Sequence, residues 1–178
     1  MRITLKWVTS LFIIIMMSQI GSAQSQSRQQ HDHSQGENKR HEQVNERGDH
    51  TMGFSHTKTA HHFLLKSDGG IIEVTAISGA DTASRDQIRR HLKHIAQMFS
   101  EGDFSAPMFI HAQTPPGVET MKRSKAEIKY QYEETDRGAR VRITTANAEA
   151  VKAVHEFLRF QIQDHQTGDS LEVDKGQS

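Results

Sequence analysis

Residues 60–77 read AHHFLLKSDGGIIEVTAI, and this stretch decides the fold. Two apolar, β-prone runs, Ala60 to Lys66 and Ile71 to Ile77, flank Ser67-Asp68-Gly69-Gly70, a turn in which glycine supplies the positive φ angles. The pattern is a hairpin. After Asp81-Thr82, the run Ser84-Arg85-Asp86-Gln87 reads as a capping box opening a helix that extends to about Ser100 and stops at Gly102. The same order then recurs. Glu127 to Glu134 alternates Ile128, Tyr130 and Tyr132 with polar neighbours, the period of a half-buried strand. Asp136-Arg137-Gly138 turns the chain into a partner strand with Val141 and Ile143 inward, and Asn147 caps a second helix reaching about His165.

The two helices align, with Ile88, Leu92 and Ala96 opposite Val154, Leu158 and Ile162. The order ββα-ββα therefore reads as a tandem duplication. Two hairpins with one apolar face each need a cover, and two amphipathic helices supply it. The predicted fold is α+β, a four-stranded antiparallel sheet with both helices on one face. Between the repeats, Asp103 to Arg123 carries Pro107, Pro115 and Pro116, which predict irregular structure. Its apolar residues Phe104, Met108, Phe109, Ile110 and Val118 predict an ordered loop that closes a core or serves a function.

Outside this unit the composition changes. The first residues, MRITLKWVTSLFIIIMMSQIGSA, put Arg2 and Lys6 before an apolar run and end it in small residues, the layout of a cleavable export signal over residues 1–23. An uncleaved anchor is the competing reading, disfavoured by an apolar core short for a bilayer. Residues 24–56 are polar and rich in histidine (His31, His33, His41, His50, His56) and read as a disordered tail. The domain is expected over residues 57–168, with a second disordered tail at 169–178.

The whole chain has 22 Lys+Arg and 22 Asp+Glu; without Arg2 and Lys6 the balance is slightly acidic. That argues against a nucleic-acid partner. The chain has no cysteine, which excludes disulfides, thiolate metal sites and lipidation after the signal. A periplasmic or secreted protein with no stable membrane insertion is expected. No Gly-rich phosphate loop, G-x-S-x-G elbow or H-E-x-x-H pair occurs, so nothing marks an enzyme.

Chemistry-bearing residues concentrate on the first helix. His91, His94 and Met98 stand at i, i+3 and i+7 along one flank of the Ile88-Leu92-Ile95-Phe99 stripe. The central segment adds Met108, His111 and Met121, and His61 shares the inward parity of Phe63 and Leu65. Imidazole and thioether without thiolate suit copper better than zinc. Each residue also has a plain structural account: a hydrogen-bonded histidine at the core margin, a solvated one, a gap-filling methionine. An inward His61 near His91 is the sharpest geometric expectation. Phe157 and Phe160, off the main stripe of the second helix, mark a homodimer surface or ligand groove, or else close a wide core.

The runs MGFSHTKTAHHF, DGGIIEVTA, DTASRDQIRRHLKHIAQMF, APMFIHAQTPPGVETMKR and FLRFQIQDHQTGD resemble a family of small exported bacterial proteins of unassigned function. The likeness covers residues 52 to about 170. Some members carry the label aspartate carbamoyltransferase, but the Ser-Thr-Arg-Thr phosphate loop of that enzyme does not stand in this sequence. The resemblance implies one compact unit and no particular mechanism.

The sequence thus points to an exported protein that binds a metal ion, copper foremost, through His91, His94 and Met98, with His61, Met108, His111 and Met121 completing the shell. The alternative is a non-enzymatic interaction or small-ligand module whose histidines are structural.

Overall fold

The computed structural model describes residues 21–174, with side chains from Asn38 onward. The expected export signal lies almost wholly outside the described residues. The chain divides into two units, residues 1–38 and 39–178. In the first, the described residues are helical from Gly21 onward. The second holds the remainder of that helix, α1 (Gly21–Met52), and the α+β fold. No helix of the described residues is long and apolar enough to cross a membrane.

The order after α1 is β1 (Thr59–Lys66), β2 (Gly69–Ala76), α2 (Thr82–Glu101), α3 (Ser105–His111), α4 (Val118–Arg123), β3 (Lys129–Thr135), β4 (Gly138–Thr144) and α5 (Ala148–His165). The four strands form one antiparallel sheet in the order β1-β2-β4-β3. The two hairpins therefore join through their second strands, with Ile72 opposite Val141 and Gly70 opposite Ile143. The expected ββα repeat and its α+β class are the observed architecture.

Alternation along the strands sends Phe63, Leu65, Ile72, Val74, Val141 and Ile143 into one core. There they meet Ile88, Leu92, Ile95, Ala96 and Phe99 of α2 and Val154, Leu158 and Ile162 of α5. Gly70 makes the α5 contact feasible: a Cβ there would stand 2.1 Å from Leu158 Cδ1. Asn147 caps α5 as expected, its side chain accepting from Glu149 N and Ala150 N. The cap of α2 differs. Asp81, not Ser84, is the N-cap, and its carboxylate accepts from the Ser84 N–H and hydroxyl.

Three expectations about irregular segments are corrected. The segment expected as a tail over residues 24–56 is helical to Met52, with Val44 fully buried and Phe54 in the core. Its apolar residues are few, but His41, Val44, Asn45, Gly48 and Met52 recur at helical spacing and share one wall of a cavity. The segment between the repeats is not irregular, because Pro107 sits in the first turn of α3, where a missing N–H costs nothing. Pro115-Pro116 precede α4, whose N-cap Gly117 takes φ +81° with the Ala153 carbonyl 2.1 Å from where a Cβ would be. The expected C-terminal tail is ordered to Asp174, whose N–H donates to the Leu65 carbonyl (2.9 Å) along the outer edge of β1.

Phe157 is likewise not part of a dimer surface. It is 1% exposed and packs in a trio with Phe99 and Phe104, with centroids 4.4–6.1 Å apart. Phe160 is half-buried with its ring against His111, 4.9 Å between centroids. The wide-core reading is the observed one for Phe157, while Phe160 lies outside the core cluster.

Candidate metal centre in a histidine-lined pocket

Three segments of the second unit line a half-open cavity of about 290 Å³. The last turns of α1 supply His41, Val44, Gly48 and Met52; the start of β1 supplies His61 and His62; the end of α5 supplies His165, followed by Thr167. His56, just after α1, completes the rim. Five histidines line one pocket.

Three of the five are already engaged. His62 Nδ1 donates to Asp169 (2.9 Å), a carboxylate that also accepts from Phe63 N–H and from the Thr167 hydroxyl. His56 pairs through Nδ1 with Asp49 (3.0 Å). His41 pairs with Asn45 (3.2 Å) and approaches the Asp164 carbonyl (3.4 Å). Among the described residues, the rings of His61 and His165 have no hydrogen-bonding partner, and His61 Nε2 is buried in that state. The two rings lie parallel, 3° between planes and 5.8 Å between centroids.

Burial governs their charge. Desolvation, and then the neighbouring His62, push His61 down to about 4. Burial, and then His61 and His111, hold His165 well below the usual imidazole range. At neutral pH both rings are uncharged, and each keeps one nitrogen lone pair for a ligand.

The row of rings continues beyond the cavity on both sides. Phe54 stacks on His61 (6.1 Å) and meets His91 edge-on (5.6 Å), so the two histidines expected to pair each contact this phenyl ring. Burial, then His61 and His94, lower His91 to about 4. On the far side His165 meets His111 edge-on at 4.9 Å. His111 is 1% exposed, with Nδ1 2.5 Å from Asp164 Oδ2 and Nε2 2.9 Å from Gln161 Oε1. Gln161 Nε2 is buried without a partner, so an amide turned end for end would donate to His111 instead. Arg40 closes this network on Asp164 (2.7 Å).

The residues expected from sequence fare unequally. His61 lines the cavity, and His91 and His111 flank it through intervening rings. His94 is exposed, and Met98 is half-buried against the core. Met121 is fully buried among core residues, and Met108 Sδ lies 4.0 Å from Lys122 Nζ. Among the described residues, no group of three or more His, Cys, Asp or Glu side chains is placed to hold a metal ion. Of the seven residues, His61 alone is among those that line the cavity. Sequence reading missed His165 and Met52. The periodic His41-Val44-Gly48-Met52 face was the signal for the second; the fold alone brings His165 to His61.

No family model matches the chain, and neither does any curated protein or solved structure. The class of protein rests on the fold and the pocket alone: an α+β domain with a cavity lined by five histidines, of which burial keeps His61 and His165 neutral.

Proposed function

We propose that this is an exported binding protein, periplasmic or secreted, that takes up a transition-metal ion of the copper type in the histidine-lined cavity. One observation carries the reading: His61 Nε2 is buried without a partner on the wall of a cavity that it shares with His165, whose ring is also unpartnered. A buried polar atom left unpaired costs about 1–3 kcal/mol, and a bound ion removes that cost. Neutral imidazole is the form that coordinates metal, and burial keeps both rings neutral. Export is supported by the Arg2/Lys6 head, the apolar run and the small-residue exit.

The helix set His91, His94 and Met98 gives way in this reading to His61 and His165, because His94 is exposed and Met98 packs on the core. Copper titration of the full chain, with bound metal quantified, tests the proposal. One equivalent bound tightly by the native chain, and lost in the double variant His61→Leu/His165→Leu, is the expected result. Binding that persists in that variant and disappears when His31 and His33 are replaced overturns it, leaving only a metal-collecting leader.

A second reading has its own support. A cavity of about 290 Å³ has room for more than one ion, near the lower end of small-molecule pockets. A small organic ligand hydrogen-bonded by His61 would satisfy the same nitrogen. Loss of heat on titration with copper, together with a co-purified organic molecule, would favour that module.

A further inference from the structure

We propose that the ion is monovalent copper, held at low coordination by His61, His165 and the thioether of Met52. The assignment rests on the metal-binding reading and deepens it, through the kinds of donor the cavity leaves free.

Carboxylates are near, and all are engaged. Asp164 holds Arg40 and His111, Asp169 holds His62 and the Phe63 N–H, and Asp49 holds His56. Of the pocket's five imidazoles, three are tied to these acids, to Asn45 or to a backbone carbonyl. What remains is two neutral imidazoles and one methionine. Met52 is on the same cavity wall as Gly48, its Cε 3.2 Å from where a Cβ on Gly48 would stand. The absence of a side chain at Gly48 leaves room for the thioether to turn toward the cavity.

Two imidazoles and a thioether, with no anionic donor, are a soft and uncharged set. Such a set selects Cu(I), which accepts two or three ligands, over Cu(II) and Zn(II), which draw on harder or more numerous donors. Metal–imidazole bonds of about 2 Å place two rings bound to one ion roughly 6 Å apart between centroids; His61 and His165 stand 5.8 Å apart but stacked, so binding one ion turns one ring until both lone pairs converge on it.

The test compares Cu(I), Ag(I), Cu(II) and Zn(II) on the full chain, the first under anaerobic conditions against a chromogenic Cu(I) chelator. Cu(I) and Ag(I) should each bind at one per chain, far more tightly than the divalent ions. His61→Leu or His165→Gln should weaken Cu(I) by about a hundredfold or more, and Met52→Leu by about tenfold. X-ray absorption should show two nitrogen scatterers and one sulfur, with the sulfur lost in Met52→Leu, a readout independent of affinity. Divalent ions bound more tightly than Cu(I) at the same two histidines overturn the monovalent assignment and leave metal binding standing. A Cu(I) site with no sulfur scatterer removes Met52 from it. Binding of any ion that His61→Leu and His165→Gln leave unchanged overturns both the assignment and the function.

Discussion

The rings of His61 and His165, 104 positions apart in the chain, stack in parallel at 5.8 Å in the lining of a cavity, and neither has a hydrogen-bonding partner among the described residues. One comes from the edge strand of the first hairpin and the other from the last turn of α5. Folding places both in a desolvated position that a solvated or bonded residue would occupy at less cost. Conflict of that kind between stability and placement is concentrated at binding sites.

The apo protein should therefore be stabilised by losing the site. His61→Leu removes the buried, unpaired nitrogen and keeps the volume close, so unfolding by urea should show a gain of about 1–3 kcal/mol. The same change should abolish copper binding. A loss of stability would mean that His61 is a structural residue.

Acid should destabilise the fold through His91. Its folded value near 4 lies below the 6.5 of a free imidazole. Between those values the unfolded chain takes up a proton that the folded chain refuses, so stability is intact above about pH 6.5 and falls as pH drops toward 4. The part due to His91 is at most about 3 kcal/mol. Urea midpoints across this range should fall less steeply in His91→Leu than in the native chain.

Gly70→Ala should be costly despite its small size. The new methyl would stand 2.1 Å from Leu158 Cδ1 and 2.8 Å from the Leu64 carbonyl, so α5 must move off the sheet. A loss of about 1–3 kcal/mol is expected, with the thermal midpoint as the readout.

Phe157→Ala should behave as a core deletion. A ring in contact with Phe99 and Phe104 leaves a cavity worth about 3–5 kcal/mol. The oligomeric state by light scattering should not change, which separates the core role from a dimer surface.

A chain shortened to begin at Thr57 should lose both stability and the pocket. It lacks Val44 and Phe54 from the core and Met52 from the cavity wall, and it also loses the Arg40–Asp164 pair. Its thermal midpoint should fall well below that of the full chain, and loss of copper from it would say nothing about a tail.

The ββα repeat was legible because hairpin turns and helix stripes are local: Gly69-Gly70, Gly102 and Asn147 each mark a boundary through their own backbone or side-chain chemistry. The inward parity of His61 followed from alternation with Phe63 and Leu65. Strand order was not legible, since nothing local says that β2 pairs with β4. Pro107 misled because proline forbids a helix interior and accepts a first turn, and the start of α3 carries no side-chain cap to reveal it. Helix α1 was hidden by its composition. A polar segment anchored by Val44, Phe54 and the ion pair of Arg40 with distant Asp164 looks disordered until those partners are in place. His165 was unreadable for the same reason, as its nearness to His61 is a product of how α5 lies across β1.

Residue-resolved NMR of the histidine ring nitrogens, on the full chain before and after one equivalent of Cu(I), tests the central claim most directly. Cu(I) is diamagnetic, so all 12 histidines can be followed together. The account predicts that the ring nitrogens of His61 and His165 shift together and saturate at one equivalent, while His31, His33 and His94 stay unchanged. Shifts confined to those three histidines, or none at the pocket pair, would contradict it.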